Sequence, residues 1–163
     1  MIKPIKTLLT ILFVSLLSSP SWSATLGDLV ERDGLYYKQF TDVPFTGEVT
    51  GSEQGSFESG NRDGTWVMYH TNGQLRNKGN WKNNKREGVW FNYFDDGTLD
   101  RKGSFTKGIN EGTWAYYHRN GQLSYKGNWM NGKQDGVWVS YNSDGTVDKE
   151  LTRTYKDGVK ISD

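Results

Sequence analysis

Residues 64–87 read GTWVMYHTNGQLRNKGNWKNNKRE, and the same plan returns at residues 88–111, 112–135 and 136–161. Gly64, Gly88, Gly112 and Gly136 open the copies. Trp66, Trp90, Trp114 and Trp138 keep step with them, as do Tyr69, Tyr93, Tyr117 and Tyr141, then Gly73, Gly97, Gly121 and Gly145, all at a spacing of 24 residues. A fixed period in this range marks a repeat array, in which each unit buries its apolar face only against its neighbours. Such arrays present a surface more often than a catalytic pocket.

Within one copy the residue types alternate between strand and turn. Residues 65–70 (TWVMYH) are β-branched and aromatic, which suits a strand. Asn72-Gly73 follows, with Asp96-Gly97, Asn120-Gly121 and Asp144-Gly145 in the same place, and these dipeptides accept the positive φ of tight hairpin turns. The second strand alternates: Leu75, Asn77, Gly79 and Trp81 share one face and Gln74, Arg76, Lys78, Asn80 and Lys82 the other. Leu123, Tyr125, Gly127 and Trp129 repeat the pattern, which describes an antiparallel sheet wet on one side. The glycine between two large residues leaves room for a tryptophan from a neighbouring strand.

Trp66 and Tyr69 stand three apart, so a regular strand sends them to opposite faces; either a bulge realigns them or the tyrosines form a second aromatic row on the far side. A second turn closes each copy, at Asn83-Asn84-Lys85, Lys107-Gly108-Ile109 and Asn131-Gly132-Lys133. The expected fold is all-β: an elongated antiparallel meander of repeated hairpins forming one sheet. His70 and His118, and Gln74 and Gln122, match across two copies, so a longer repeat of 48 residues overlies the shorter one.

The flanks are atypical, as the ends of a stack must be. Residues 55–63 (GSFESGNRD) resemble a half-copy, and residues 24–63 as a whole read as an N-terminal capping segment, with a short helix or irregular lead-in at 25–33 and a degenerate hairpin around Asp42-Val43-Pro44. In the fourth copy Lys149-Glu150-Leu151 interrupts the pattern and Tyr155 stands near the second-strand aromatic position, as a C-terminal cap. Before the domain, Lys3 and Lys6 precede an apolar run at residues 8–17, and Ser21 and Ser23 supply small residues. Residues 1–23 therefore read as a cleavable secretory signal peptide, cut after Ser23 with Ala24 as the other position, and a periplasmic or secreted location is expected. Without that segment 18 Lys and Arg face 19 Asp and Glu, a balance that gives no reason to expect nucleic acid.

Residues 127–138 (GNWMNGKQDGVW) resemble the MORN repeat, and the pattern Gly-x-Trp-x-x-Tyr-x-x-x-Gly-x-Leu from Gly64, Gly88 and Gly112 is similar to its bacterial variant, which includes proteins named YwqK-type antitoxins. Asp33-Gly34-Leu35-Tyr36-Tyr37 with Pro44-Phe45-Thr46-Gly47 looks like the lead-in of the same group. The resemblance implies an elongated β-meander used for protein or lipid contacts, with no activity of its own. An immunity-like inhibitor of a toxin is a further implied role.

Little in the chain carries chemistry. There is no cysteine, and His70 and His118 occupy one repeat position on strands on the order of 20 Å apart, too far to share a metal. Asp95-Asp96 lies in a turn, where neighbouring carboxylates face water. No cofactor is expected. Trp66, Trp81, Trp90, Phe105, Trp114, Trp129 and Trp138 read as the core, and Tyr69, Tyr93, Tyr117 and Tyr141 as the candidate interaction surface. The expected function is a monomeric, exported, non-enzymatic module for binding another protein; a cell-wall glycan or a lipid headgroup is the alternative ligand.

Overall fold

The computed structural model describes residues 24–162; the expected signal peptide at 1–23 lies outside the described residues, as does Asp163. Strands of nine and eight residues alternate from β6 to β12, between flanking strands of other lengths: β5 (Glu53–Glu58), β6 (Asn61–Tyr69), β7 (Leu75–Lys82), β8 (Lys85–Tyr93), β9 (Leu99–Thr106), β10 (Ile109–Tyr117), β11 (Leu123–Met130), β12 (Lys133–Tyr141), β13 (Val147–Lys156) and β14 (Val159–Ser162). Before them come β1 (Ala24–Thr25), a 3-10 turn at Leu26–Asp28, β2 (Leu29–Arg32), β3 (Leu35–Lys38) and β4 (Gly47–Thr50). From β4 to β14 each strand pairs with the next, antiparallel, and β1 joins β4 in parallel to give one sheet of 12 strands. The all-β meander expected from the repeat is what forms.

The two kinds of turn differ. Asn83 and Asn84 both have positive φ, 49° and 58°, as do Lys107 with Gly108 and Asn131 with Gly132, so these are the two-residue loops whose twist matches the strands. At the other edge only the glycine of Asn72-Gly73 is left-handed, and His70 N–H donates to the Gln74 carbonyl at 2.7 Å across a three-residue loop. The Asn-Gly and Asp-Gly pairs are therefore not two-residue turns. Asn72 and Asp96 instead accept through Oδ1 from the backbone N–H two residues on, at 3.0 and 2.9 Å, the local bond that suits Asn and Asp to such loops.

The core forms through a mismatch in strand length. Lys78 pairs with Phe91 and Asn80 with Glu87, so Gly88, Val89 and Trp90 together stand opposite the single residue Gly79. Gly88 enters this bulge at φ 67°, a conformation that costs a residue with a Cβ. The bulge tips the indole of Trp90 flat onto Gly79, where an added Cβ would lie 2.3 Å from the ring. Trp90 Nε1 then donates to the Asn80 carbonyl at 3.1 Å. Trp66 over Gly55, Trp114 over Gly103 and Trp138 over Gly127 repeat the arrangement, with bonds to Ser56, Ser104 and Asn128. Trp66 and Trp138 are wholly buried, which a single sheet achieves only because neighbouring rings cover them.

Those covering rings are the aromatics of the second strand in each copy. Trp81 meets Trp90 edge to face at 5.6 Å, Phe105 meets Trp114 at 5.2 Å and Trp129 meets Trp138 at 5.6 Å. Phe105 is buried, whereas Trp81 and Trp129 are half-buried and packed against the core. Arg62 and Arg86 lie over Trp66 and Trp90, each 4.8 Å from the ring, and close the stack by cation–π contact. Their partners in later copies are Asn110 and Gln134, and burial lowers the Arg86 pKa.

Both ends depart from the sequence reading in part. Leu35–Lys38 forms its ladder with Leu29–Arg32 around Asp33-Gly34 in a separate two-stranded sheet; of the expected hairpin with residues 45–50 only the start exists, a bridge between Tyr37 and Pro44 and the Phe45 N–H donating to the Tyr36 carbonyl at 2.8 Å. The lead-in is thus largely strand. At the other end Tyr155 pairs with Gly136 as Trp129 pairs with Gly112, so it fills the aromatic position. Arg153 pairs with Trp138 where Gly127 pairs with Trp114, and the glycine floor for another tryptophan is gone.

Candidate binding face

The tyrosine row lies on the face away from the tryptophans. Lys102 is the residue before the floor glycine Gly103, so alternation turns it to that far face, and its ammonium sits 5.9 Å from the ring of Tyr117. Tyr69, Tyr93, Tyr117 and Tyr141 are all half-buried, and none packs against the tryptophan clusters. A register slip comes just before each of the first three: Met68 pairs with Asn77 but Tyr69 with Leu75, Asn92 with Arg101 but Tyr93 with Leu99, Tyr116 with Tyr125 but Tyr117 with Leu123. Directly paired residues share a face, so Leu75, Leu99 and Leu123 join the tyrosines. The expected sharing of one face by Leu75 and Trp81, and by Leu123 and Trp129, is overturned by the extra residue at each slip. Arg76 takes the vacated side and reaches Met68 Sδ at 3.6 Å and Glu53 at 3.5 Å.

The bulge therefore moves the leucines, and the tyrosines form a second aromatic row. Beside it run Val67, Phe91, Ala115 and Val139, two residues before each tyrosine, then the exposed Lys78, Lys102 and Lys126. Lys78 and Lys126 pair with Phe91 and Val139, and the Lys78 ammonium lies 5.3 Å over the Phe91 ring. Leucine, phenylalanine and lysine members of this face were not singled out by sequence pattern. The three lysines do recur at the 24-residue period, and that signal was available.

Polar groups at the two edges serve the scaffold. His70 Nε2 and His118 Nε2 bond the carbonyls of Tyr93 and Tyr141, each at 2.9 Å, so the 48-residue repeat joins copy one to two and copy three to four. Arg119 bridges the remaining junction to Asp95 and Asp96 at 2.8 and 3.1 Å, and its hydrogen bond holds the Asp95 carboxyl below the usual range. At the opposite edge Glu87 and Glu111 accept the first N–H of the next turn, from Lys107 at 2.8 Å and Asn131 at 2.9 Å. The space between these turns is a shallow hollow of about 310 Å³ lined by Lys82, Asn83, Lys85, Glu87 and Lys107. On the tryptophan face, burial and the Tyr155 hydroxyl push the Tyr125 phenol up to about 12. Among the described residues no group of three His, Cys, Asp or Glu side chains could hold a metal ion.

Comparison with known families agrees with this geometry. The family model described as MORN repeat variant matches residues 62–83, 86–107 and 110–131, each spanning a bulged strand, its loop, the glycine-floor strand and the following turn. Residues 62–131 thus carry three consecutive copies of that repeat, a pattern that in general suggests a module for protein or membrane-lipid interaction. No curated protein matches the chain. Among solved structures, a chain of "Crystal structure of GtfA/B complex bound to UDP and GlcNAc" is similar at 16% identity over 74% of this chain, with a TM-score of 0.24. The match spans 26% of that other chain, and at such a score it carries no argument.

Proposed function

We propose that the chain is an exported, non-enzymatic module that binds another protein along the face carrying Tyr69, Tyr93, Tyr117 and Tyr141. The observation that carries this reading is the far face itself. Four tyrosines stand in register, three of them paired with leucines, on a side of the sheet that no other layer covers among the described residues. Tyrosine offers large contact area with few rotors and a hydroxyl for bonding, which is why it is common in binding surfaces. The tryptophans, in contrast, are consumed by the core.

The test is in-cell cross-linking of the tagged chain, affinity purification and mass spectrometry, run beside the Tyr93→Ser/Tyr117→Ser double variant. A protein captured by the wild type and lost from the variant, whose fold is verified by circular dichroism, supports the reading. A capture that survives the double substitution, or no capture at all, refutes it. The same samples, fractionated, report whether the chain resides outside the cytoplasm.

A further inference from the structure

The far face repeats at a length that selects among the shapes a bound segment can take. Equivalent residues in successive copies lie two strands apart, about 9.6 Å at the usual strand spacing. A polyproline II helix advances about 9.3 Å per three-residue turn, and its residues i and i+3 share a face. A β-strand covers nearly the same distance in three residues, but its residues i and i+3 point to opposite sides. An α-helix needs seven residues and about 10.5 Å to return to the same face, a mismatch roughly three times larger. Only the polyproline II segment offers each copy the same residue at matching pitch.

Charge then narrows the segment further. Lys78, Lys102 and Lys126 are exposed beside the tyrosine row, and none is in an ion pair among the described residues. The carboxylates that recur just before the opening glycines are engaged elsewhere: Glu87 and Glu111 with turn N–H groups, Asp135 with Lys156 at 3.2 Å. The first three copies thus each present an ammonium on the face that carries a leucine, with Phe91 beside Lys78 and Tyr117 beside Lys102, while the fourth has Glu150 and Val147 at the equivalent positions.

We propose that the tyrosine face binds a proline-rich protein segment in the polyproline II conformation that carries an acidic side chain at every third residue. Its proline rings rest on the tyrosines and leucines, as in other aromatic-lined grooves for such helices, and its carboxylates meet Lys78, Lys102 and Lys126. Sheet twist turns the face by about 20–25° per strand, so a straight segment of two to three turns engages neighbouring copies, centred on Tyr93 and Tyr117. The proposal rests on reading this face as protein-binding.

The experiment uses the purified chain and fluorescently labelled twelve-residue peptides. One repeats Pro-Pro-Glu, one has the same composition with its glutamates contiguous, and one repeats Pro-Pro-Lys. The first is expected to bind, the contiguous peptide to bind several-fold more weakly, and the lysine peptide not to bind. Lys102→Glu is expected to weaken the first by roughly tenfold, and Tyr117→Ser to weaken it at any salt concentration. Equal binding of the two acidic peptides, indifference to Lys102→Glu, or no binding of any peptide overturns the proposal. If no peptide binds while cross-linking still captures a partner that Tyr93→Ser/Tyr117→Ser releases, the polyproline assignment falls and protein binding stands.

Discussion

A methyl group at position 103 would lie 2.1 Å from the indole of Trp114, and a flat bicyclic ring cannot fold out of its way. Gly103→Ala must therefore push the ring off its seat, stretching its 3.2 Å bond to the Ser104 carbonyl. We expect a loss of about 1–3 kcal/mol, the usual cost of overpacking, measured by urea denaturation. Gly27→Ala is the control. Its nearest neighbour is Thr25 Oγ1 at 3.5 Å and its φ is ordinary, so the change should stay within about 0.5 kcal/mol. The same stability for both variants would show that the glycine floor is not what seats the tryptophan.

Two hairpin loops hold carboxylates whose pKa values lie below the ordinary one. Hydrogen bonds from the Thr98 and Thr146 side chains and backbones lower the pKa values of Asp96 and Asp144. A carboxylate whose folded pKa is depressed adds stability that is complete above its ordinary value and is lost as pH falls through the folded value. Asp96→Asn with Asp144→Asn should therefore flatten the acid limb of a stability–pH curve while leaving neutral stability nearly unchanged. Asn72 and Asn120 already hold the same position and make the same bond, so the loop geometry survives the substitution. An unaltered acid limb in thermal melts would remove these loops as its source.

At this scale the sequence was only partly legible. The period placed the strands of the array and the four buried tryptophans, because glycine and tryptophan in fixed register admit few arrangements, but not the buried Phe45 and Phe57 of the N-terminal cluster. It placed both turns but not their lengths, since Asn-Gly serves a three-residue loop as well as a two-residue one. It also put Leu75 and Leu123 on the wrong face. One extra residue inverts a strand's alternation, and nothing in the identity of Arg76 or Ser124 announces that it is the extra one. The N-terminal hairpin was placed only in part, its main ladder running to Leu29–Arg32, because no repeat constrains it.

Over the whole molecule the buried rings fall into two clusters, one around Phe57 and Trp66 with the N-terminal cap, the other around Trp90, Phe105, Trp114 and Trp138. Trp81 packs against both and Trp129 against the second alone. Stability in repeat arrays is a sum of unit and nearest-neighbour terms, so losing the shared ring should weaken the coupling between the clusters. We expect Trp81→Ala to broaden thermal unfolding, with a calorimetric enthalpy exceeding the van't Hoff value. Trp129→Ala should lower the midpoint without that divergence. A single sharp transition in both variants would mean that the sheet's backbone ladder alone holds the array together.

Trp66, Trp90, Trp114 and Trp138 each lean backward, onto a glycine and a carbonyl supplied by the hairpin before; the indole N–H reaches only ten residues toward the start of the chain. The array is consequently directional. None of these four rings waits on a residue still to be synthesised for its floor or its hydrogen bond. A chain threading out of a ribosome or a translocon can set each rung as it emerges, and interruption after any complete copy leaves behind a shorter ladder whose seats are all filled.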